Sequence, residues 1–402
     1  MLDRRNALLK MYRSLIHKLQ DERRGGLKAV VLGSGLMGGV VAWDMARSEG
    51  VDSVVVSDVD EERLAAVKRR SAGRKLSVEV IDIKDRRKTQ RFLRQFDVAV
   101  SALPHGVVHS SDLAAVASGT KMVNVAFEDE QMELNSAARK TGALLIPGCG
   151  LAPGLGGILL AHALETLGGG DEGHILVGGL PQVPQPPFGY KLVFSIVGLL
   201  REYIDDARVF RDGKLVKVRP FSTVEKVEFP APIGTLEAFC TDGLASLVYT
   251  MKGMRVLDEK TLRWPGHAEK MSLLQESGYF AKDKVKVGSA ELSPLEMSWA
   301  VLGKKLSEGD PHDVTVMRVI ARSETGEFAY DMVDRYDDRE KVTSMGKTTG
   351  YTASIVAQMV GSGKIKGKGT LAPERAVEGP LVETLLSELG RRGVSITARR
   401  HR

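Results

Sequence analysis

Six residues near the start of the chain, Gly33-Ser34-Gly35-Leu36-Met37-Gly38, have the types and spacing of a loop that cradles a pyrophosphate. They follow an apolar run, LKAVVL at 27–32, and open a helix-like segment through residue 50. In that setting Gly33 permits a tight turn and Gly35 lets a phosphate approach the backbone. Gly38 lets the helix lie close to the strand, and the helix N-terminus offers N–H groups and partial positive charge. Asp58 ends the next apolar run, SVVVSD at 53–58. A carboxylate there accepts hydrogen bonds from ribose hydroxyls and repels a 2′-phosphate. Val59 rather than an arginine follows it, so NAD is expected in preference to NADP. Ser101-Ala102-Leu103-Pro104 closes a further run, FDVAVSAL at 96–103, where small residues would let a nicotinamide ribose pass the backbone. His105, His109 and Asp112 share a helical spacing that could imitate a metal site, but no further ligand cluster accompanies them and no metal is expected.

These residues need a parallel sheet to position them. From Leu27, apolar runs alternate with helical segments, through LSVEVIDI (76–83), FDVAVSAL, GTKMVNVA (119–126) and ALLIPG (143–148). That rhythm predicts an α/β fold with a Rossmann-type, doubly wound parallel sheet. It changes near residue 173. A proline-rich loop at 180–190 leads to strand-like runs, with hairpin signals at Asp212-Gly213 and at SETGE (323–327), which predict a second α+β domain with a mixed sheet. The expected division is a helical extension over 1–24, a dinucleotide domain over 25–150, a substrate and dimerisation domain over 151–342, and C-terminal helices over 343–402 that return to the first domain.

Composition narrows the remaining classes. The 402 residues are 43% hydrophobic and 27% charged, ordinary globular usage, and the net charge is +6. The basic excess sits at the two ends, residues 1–24 and 390–402, which is poor support for a nucleic-acid groove. Two cysteines, Cys149 and Cys240, make no disulfide framework and fit a reducing, cytoplasmic setting. Residues 142–164 lack charge, but Pro147, Pro153 and six glycines interrupt them, so a membrane span is not expected. Leu8, Tyr12, Leu15, Ile16 and Leu19 recur at helical spacing among charges and predict an amphipathic N-terminal helix.

Several segments carry a resemblance. Gly150-Leu151-Ala152-Pro153-Gly154, Phe188-Gly189-Tyr190-Lys191, Glu237 through Gly243, Thr261-Leu262-Arg263-Trp264-Pro265-Gly266-His267 and Thr343 through Tyr351 resemble the saccharopine dehydrogenase-like oxidoreductases, with L-lysine 6-dehydrogenase-like proteins nearest in pattern. The resemblance implies oxidation of an amine-bearing carbon with a nicotinamide cofactor, giving an imine that hydrolyses, in a homodimer. Three positions depart from that pattern: Gly148, Asn124 and Ser195-Ile196-Val197-Gly198 stand where carboxylates are expected.

Hydride leaves an amine-bearing carbon only when the nitrogen lone pair is free, so a proton acceptor is needed. Lys191 and His267 are the catalytic candidates. Arg263 has the planar fork for a substrate carboxylate, and Tyr190 could close the site. All four are expected to converge on a cleft between the domains, opposite Ser101–Pro104. The expected substrate is an amino acid oxidised at its C–N bond. The alternatives are a saccharopine-type, opine or polyamine-precursor substrate, or a non-catalytic dinucleotide-binding regulatory protein.

Overall fold

The computed structural model describes residues 26–71, 73 and 75–401; the helix expected over 1–24 lies outside them. The first domain contributes Leu27–Leu32 (β1), Val51–Asp58 (β2), Leu76–Val80 (β3), Val98–Ser101 (β4), Lys121–Asn124 (β5) and Leu144–Ile146 (β6). The second contributes Glu172–Pro181 (β7), Ala207–Arg211 (β8), Lys214–Val218 (β9), Glu225–Phe229 (β10), Gly234–Cys240 (β11) and Val256–Arg263 (β12). A small hairpin, Val285–Val287 (β13) and Ala290–Leu292 (β14), precedes the long pair Asp313–Ser323 (β15) and Gly326–Arg335 (β16). Two short strands follow, Gly369–Thr370 (β17) and Ile396–His401 (β18).

The first sheet runs in the order β17-β6-β5-β4-β1-β2-β3, every pair parallel. The order reverses between β1 and β4, and the crevice outside the strand ends at such a switch point is where open α/β sheets bind ligands. The central strands are short apolar runs buried on both faces, whereas the edge strand β3 is largely exposed; β1 reads Leu-Lys-Ala-Val-Val-Leu, with only Lys28 exposed.

The second sheet has nine strands around the order β10-β11-β12-β7-β15-β16-β18. It is mixed: β12 pairs parallel with β7, while β15 runs antiparallel to both β7 and β16. Asp212 and Gly213 take positive φ of 51° and 75° and close the β8–β9 hairpin, the geometry that matches strand twist. β18 returns the chain to this sheet beside β16. The preceding segment goes the other way. Helix Ser344–Gly361 packs on helix Leu36–Arg47, and β17 extends the first sheet. One apolar core runs through both domains, with helix Leu155–Leu167 between them, supplying Leu155, Ile158, Leu159, Leu160 and Leu164.

Candidate active site

Gly33 follows β1 with φ +98°, a conformation L side chains rarely adopt, and a Cβ on it would lie 2.7 Å from the Ala102 carbonyl oxygen. A Cβ on Gly38 would lie 1.9 Å from the Gly33 carbonyl oxygen. At Gly35 a Cβ would meet nothing within 4 Å, so the backbone there is open to a ligand. Leu36 begins the helix and is exposed, while Met37 is half-buried.

Asp58 is bound into this loop. Its Oδ2 accepts from the Ser34 N–H and the Ser34 hydroxyl, both at 2.7 Å. Its Oδ1 accepts from the N–H groups of Val59 at 2.7 Å and Asp60 at 3.1 Å. Burial works to raise its pKa, but the bonds donated by Ser34, Asp60 and Val59 outweigh it and hold the carboxyl below the usual range. A carboxylate has about four acceptor positions. All are engaged here, so the ribose hydroxyls expected as partners would have to displace the Ser34 hydroxyl.

The end of β4 stands beside the loop. Ala102 N–H donates to Leu32 O at 2.8 Å; Ala102 and Leu103 are half-buried and Pro104 exposed. Ser101 is buried, its hydroxyl 3.1 Å from that of Ser111, so it faces the helix beneath and not the crevice. Beside it lies a buried polar group whose members the sequence does not bring together. Gln131 Nε2 donates to Asp112 Oδ2 at 3.0 Å, next to Asn124, whose amide has no partner. Burial pushes Asp112 up to about 7. Among the described residues, no three His, Cys, Asp or Glu side chains are placed to share a metal ion.

Three of the four second-domain candidates meet, but inside that domain. Arg263 is 1% exposed; Nη1 donates to Leu262 O at 2.9 Å and Nη2 to Glu202. Its guanidinium lies 4.7 Å from the Tyr190 ring centre, and the Tyr190 and His267 rings are 5.2 Å apart. His267 donates from Nδ1 to Phe188 O at 2.9 Å and accepts at Nε2 from the Tyr203 hydroxyl at 2.8 Å. Burial, with the Arg263 charge, lowers its pKa to about 3, so it is a neutral residue whose basic nitrogen is occupied. Lys191 lies apart from them. Its Nζ donates to Gly309 O at 2.8 Å and Glu308 O at 3.3 Å, just beyond helix Pro294–Ser307.

Other side chains bridge the domains. Arg208 holds Asp129 of the first domain through Nη1 at 2.9 Å and Asp242 of the second through Nε at 2.9 Å. The Tyr249 hydroxyl adds a bond to Asp129 at 2.8 Å. Glu128 accepts from Gly106 N–H at 2.7 Å and lies 3.5 Å from His105 Nδ1. Burial and the charge of Arg201 depress His105, with Glu128 opposing. Asp129 and Arg208 are 79 positions apart and no local pattern pairs them.

Known proteins share this architecture. A family model described as the saccharopine dehydrogenase NADP binding domain matches residues 29–146, and one described as the saccharopine dehydrogenase C-terminal domain matches residues 150–394. Mouse mitochondrial alpha-aminoadipic semialdehyde synthase is 23% identical over 95% of this chain, which spans about half, 50%, of that protein's length. Saccharopine dehydrogenase (NADP+, L-glutamate-forming) of Schizosaccharomyces pombe is 22% identical, with 77% of this chain and 86% of the relative covered. The solved apo saccharopine dehydrogenase (L-Glu forming) of Saccharomyces cerevisiae superposes with a TM-score of 0.75 at 20% identity, covering 94% of this chain and 100% of that one. Among the described residues, no helix is long and apolar enough to cross a membrane.

Proposed function

Because the chain belongs to the saccharopine dehydrogenase family, we propose that it is a nicotinamide-dinucleotide-dependent oxidoreductase acting on the C–N bond of an amino acid, with NAD as its preferred cofactor. The observation that carries this reading is the fit of the first-domain crevice to a dinucleotide. The loop backbone is open at Gly35, while Gly33 and Gly38 pack too tightly for any side chain. Gly35 and the first turn of the helix would hold the pyrophosphate, and Ala102–Pro104 would line the nicotinamide ribose. When bound, the nicotinamide supplies the hydride acceptor.

NAD is favoured by charge. Asp58 is followed by Asp60, Glu61 and Glu62, and among the described residues the cation paired with these acids is Arg63, on Asp60 at 3.0 Å. A 2′-phosphate would enter a negative loop. This differs from the cofactor in the names of the Schizosaccharomyces pombe relative and of the first-domain family model.

Oxidation needs the amine in its neutral form. Our candidate to take the ammonium proton is His105, which follows Pro104 and whose pKa burial lowers, so that it is neutral and free to accept. The carbon then gives up hydride, the C=N bond forms, and water cleaves the imine to a carbonyl compound and a free amine. The test is absorbance of reduced nicotinamide against lysine, N-substituted amino acids of the saccharopine type and polyamine precursors. Turnover of one class with NAD is expected. Tight nucleotide binding with no turnover of any amine would overturn the enzymatic reading in favour of a dinucleotide-binding regulatory protein.

A further inference from the structure

Two loops stand at the C-terminal end of the first sheet, the side on which open parallel sheets bind ligands. One follows β4 and carries His105; the other follows β5 and carries Glu128 and Asp129. A single buried side chain ties them together. Gln131 lies in the short helix Glu130–Glu133 and is shielded from solvent. Its Oε1 accepts from the Glu128 N–H at 2.8 Å. Its Nε2 donates to Asp112 Oδ2 at 3.0 Å, on helix Val108–Ser118, into which the His105 loop runs. The Gln131 backbone is held as well: its N–H donates to Glu128 O at 3.0 Å, and its carbonyl accepts from the Thr370 hydroxyl of β17 at 2.9 Å.

Both ends of the Gln131 amide are therefore in use. The position needs an acceptor for an N–H on one side and a donor for a carboxylate on the other, which an amide supplies and a carboxylate does not. Held in this way, Glu128 reaches across to the neighbouring loop. Its Oε1 accepts from the Gly106 N–H at 2.7 Å and lies 3.5 Å from His105 Nδ1. A carboxylate beside Nδ1 favours the tautomer protonated there and leaves Nε2 as the free acceptor. The next residue, Asp129, does not compete for His105, because Arg208 and Tyr249 hold it.

We propose that Gln131 is a positioning residue, which holds Glu128 against His105 so that the imidazole keeps one tautomer and one orientation at the end of β4. The proposal rests on the oxidoreductase reading above, in which His105 takes the ammonium proton. Gln131 touches neither His105 nor a reacting atom; it acts through Glu128. The charged groups that act on His105 are Glu128, which raises its pKa, and Arg201, which lowers it. Releasing Glu128 should therefore move the His105 titration to lower pH and free the ring to turn.

The experiment is an NMR titration of the His105 imidazole in the full chain, beside the pH profile of amine oxidation. It compares the unmodified protein with Glu128→Gln, Gln131→Leu and the two combined. Glu128→Gln should lower the His105 midpoint by about half a pH unit. Gln131→Leu should shift it the same way, and the combined variant no further than Glu128→Gln alone. In turnover, Gln131→Leu should lower kcat about tenfold with KM within about twofold, and the acid limb of the profile should move with the imidazole. Should Gln131→Leu fail to fold, Gln131→Leu with Asp112→Leu removes both buried partners together and is read in its place. A His105 midpoint that stays put in the Gln131 variant overturns the proposal, whether or not Glu128→Gln moves it. A moved midpoint with an unmoved acid limb overturns the role in the reaction. If the unmodified protein oxidises no amine, the oxidoreductase reading fails, and the titration alone decides whether Gln131 sets Glu128 on His105.

Discussion

Replacing Asp58 by asparagine separates two ways in which this residue could select a cofactor. In the unmodified protein all four acceptor positions are filled by Ser34, Val59 and Asp60, so Asp58 should discriminate mainly by charge. A 2′-phosphate of charge about −2 at roughly 5 Å from one carboxylate, in a water-rich site, is disfavoured by about 2–3 kcal/mol. That corresponds to about thirtyfold to a hundred-and-fiftyfold in affinity. Asparagine removes the charge and keeps the shape, but its amide presents NH2 to one of the two donor pairs. The loop should then lose about 1–3 kcal/mol of stability. Calorimetric titration with NADH and NADPH at low and high salt is the assay. We expect NADH to bind at least about tenfold tighter to the unmodified protein, with the gap narrowing in salt. In Asp58→Asn it should close mainly through tighter NADPH binding. A pH series adds a sign. The folded pKa of Asp58 is depressed, so its contribution to stability is present above the ordinary carboxylate range and lost as pH falls through the depressed value. That acid-side loss should be smaller in the variant. Equal affinity for both nucleotides in the unmodified protein would refute the charge argument. A collapse of NADH binding in Asp58→Asn with no gain for NADPH would show that Asp58 works through the ribose instead.

The same loop allows folding and binding to be separated. Gly35→Ala should leave the thermal midpoint nearly unchanged, since its Cβ meets nothing, but should abolish nucleotide binding. Gly38→Ala should destabilise the first domain by at least about 1–3 kcal/mol, because its Cβ would meet the Gly33 carbonyl at 1.9 Å. Intact NADH binding by Gly35→Ala would remove the pyrophosphate from this position. In the second domain His267 titrates near 3 when folded, against 6.5 for an ordinary histidine. Stability should therefore fall as pH drops from 6.5 toward 3, by about 1.4 kcal/mol per unit at most. Glu259, pushed by burial to about 8, changes stability on its own, so the His267 effect is read as the difference between unmodified protein and His267→Gln. Identical pH profiles for the two would refute it. We further propose that the chain is a homodimer built through the second domain, whose long strands β15 and β16 lead to the β18 edge; light scattering that gives a monomer mass at micromolar concentration would reject this.

The first domain was legible because its signals are local. A glycine fingerprint between a buried strand and a helix carries its own geometry, and Asp58 lies at the end of the adjacent strand, β2. What was not legible there is that Ser34 saturates Asp58, since the serine is only the second residue of the motif and its rotamer is set by the fold. The second domain shows the limit more sharply. Segments around Tyr190, Arg263 and His267 read as one site, and the structure does bring the three together. Sequence cannot tell whether a polar cluster faces a crevice or the interior. That depends on which side of helix Ile196–Ile204 the β12 side chains lie, and Arg263 lies on the inner side beside Glu202. Lys191 falls outside the cluster although it is directly adjacent to Tyr190: its Nζ is held by the Gly309 and Glu308 carbonyls, contacts more than a hundred positions away that no local pattern shows.

The buried cluster nonetheless bears on the proposed chemistry, because it sets where the exposed groups stand. Arg263 is buried and the Glu202 side chain only 24% exposed, so their pair holds the helix more firmly than the solvent-screened pair of Arg201 and Asp205. The firm contact faces inward. Arg208 and Tyr249 then tie this domain to Asp129, at the end of the first sheet where a nicotinamide would lie. Helix Ile196–Ile204, the loop at Asp129 and strand β8 form one frame whose fixed contacts are part-buried or bridging. The positions 124, 148 and 197, which hold no acid, weaken any site built to grip a second ammonium.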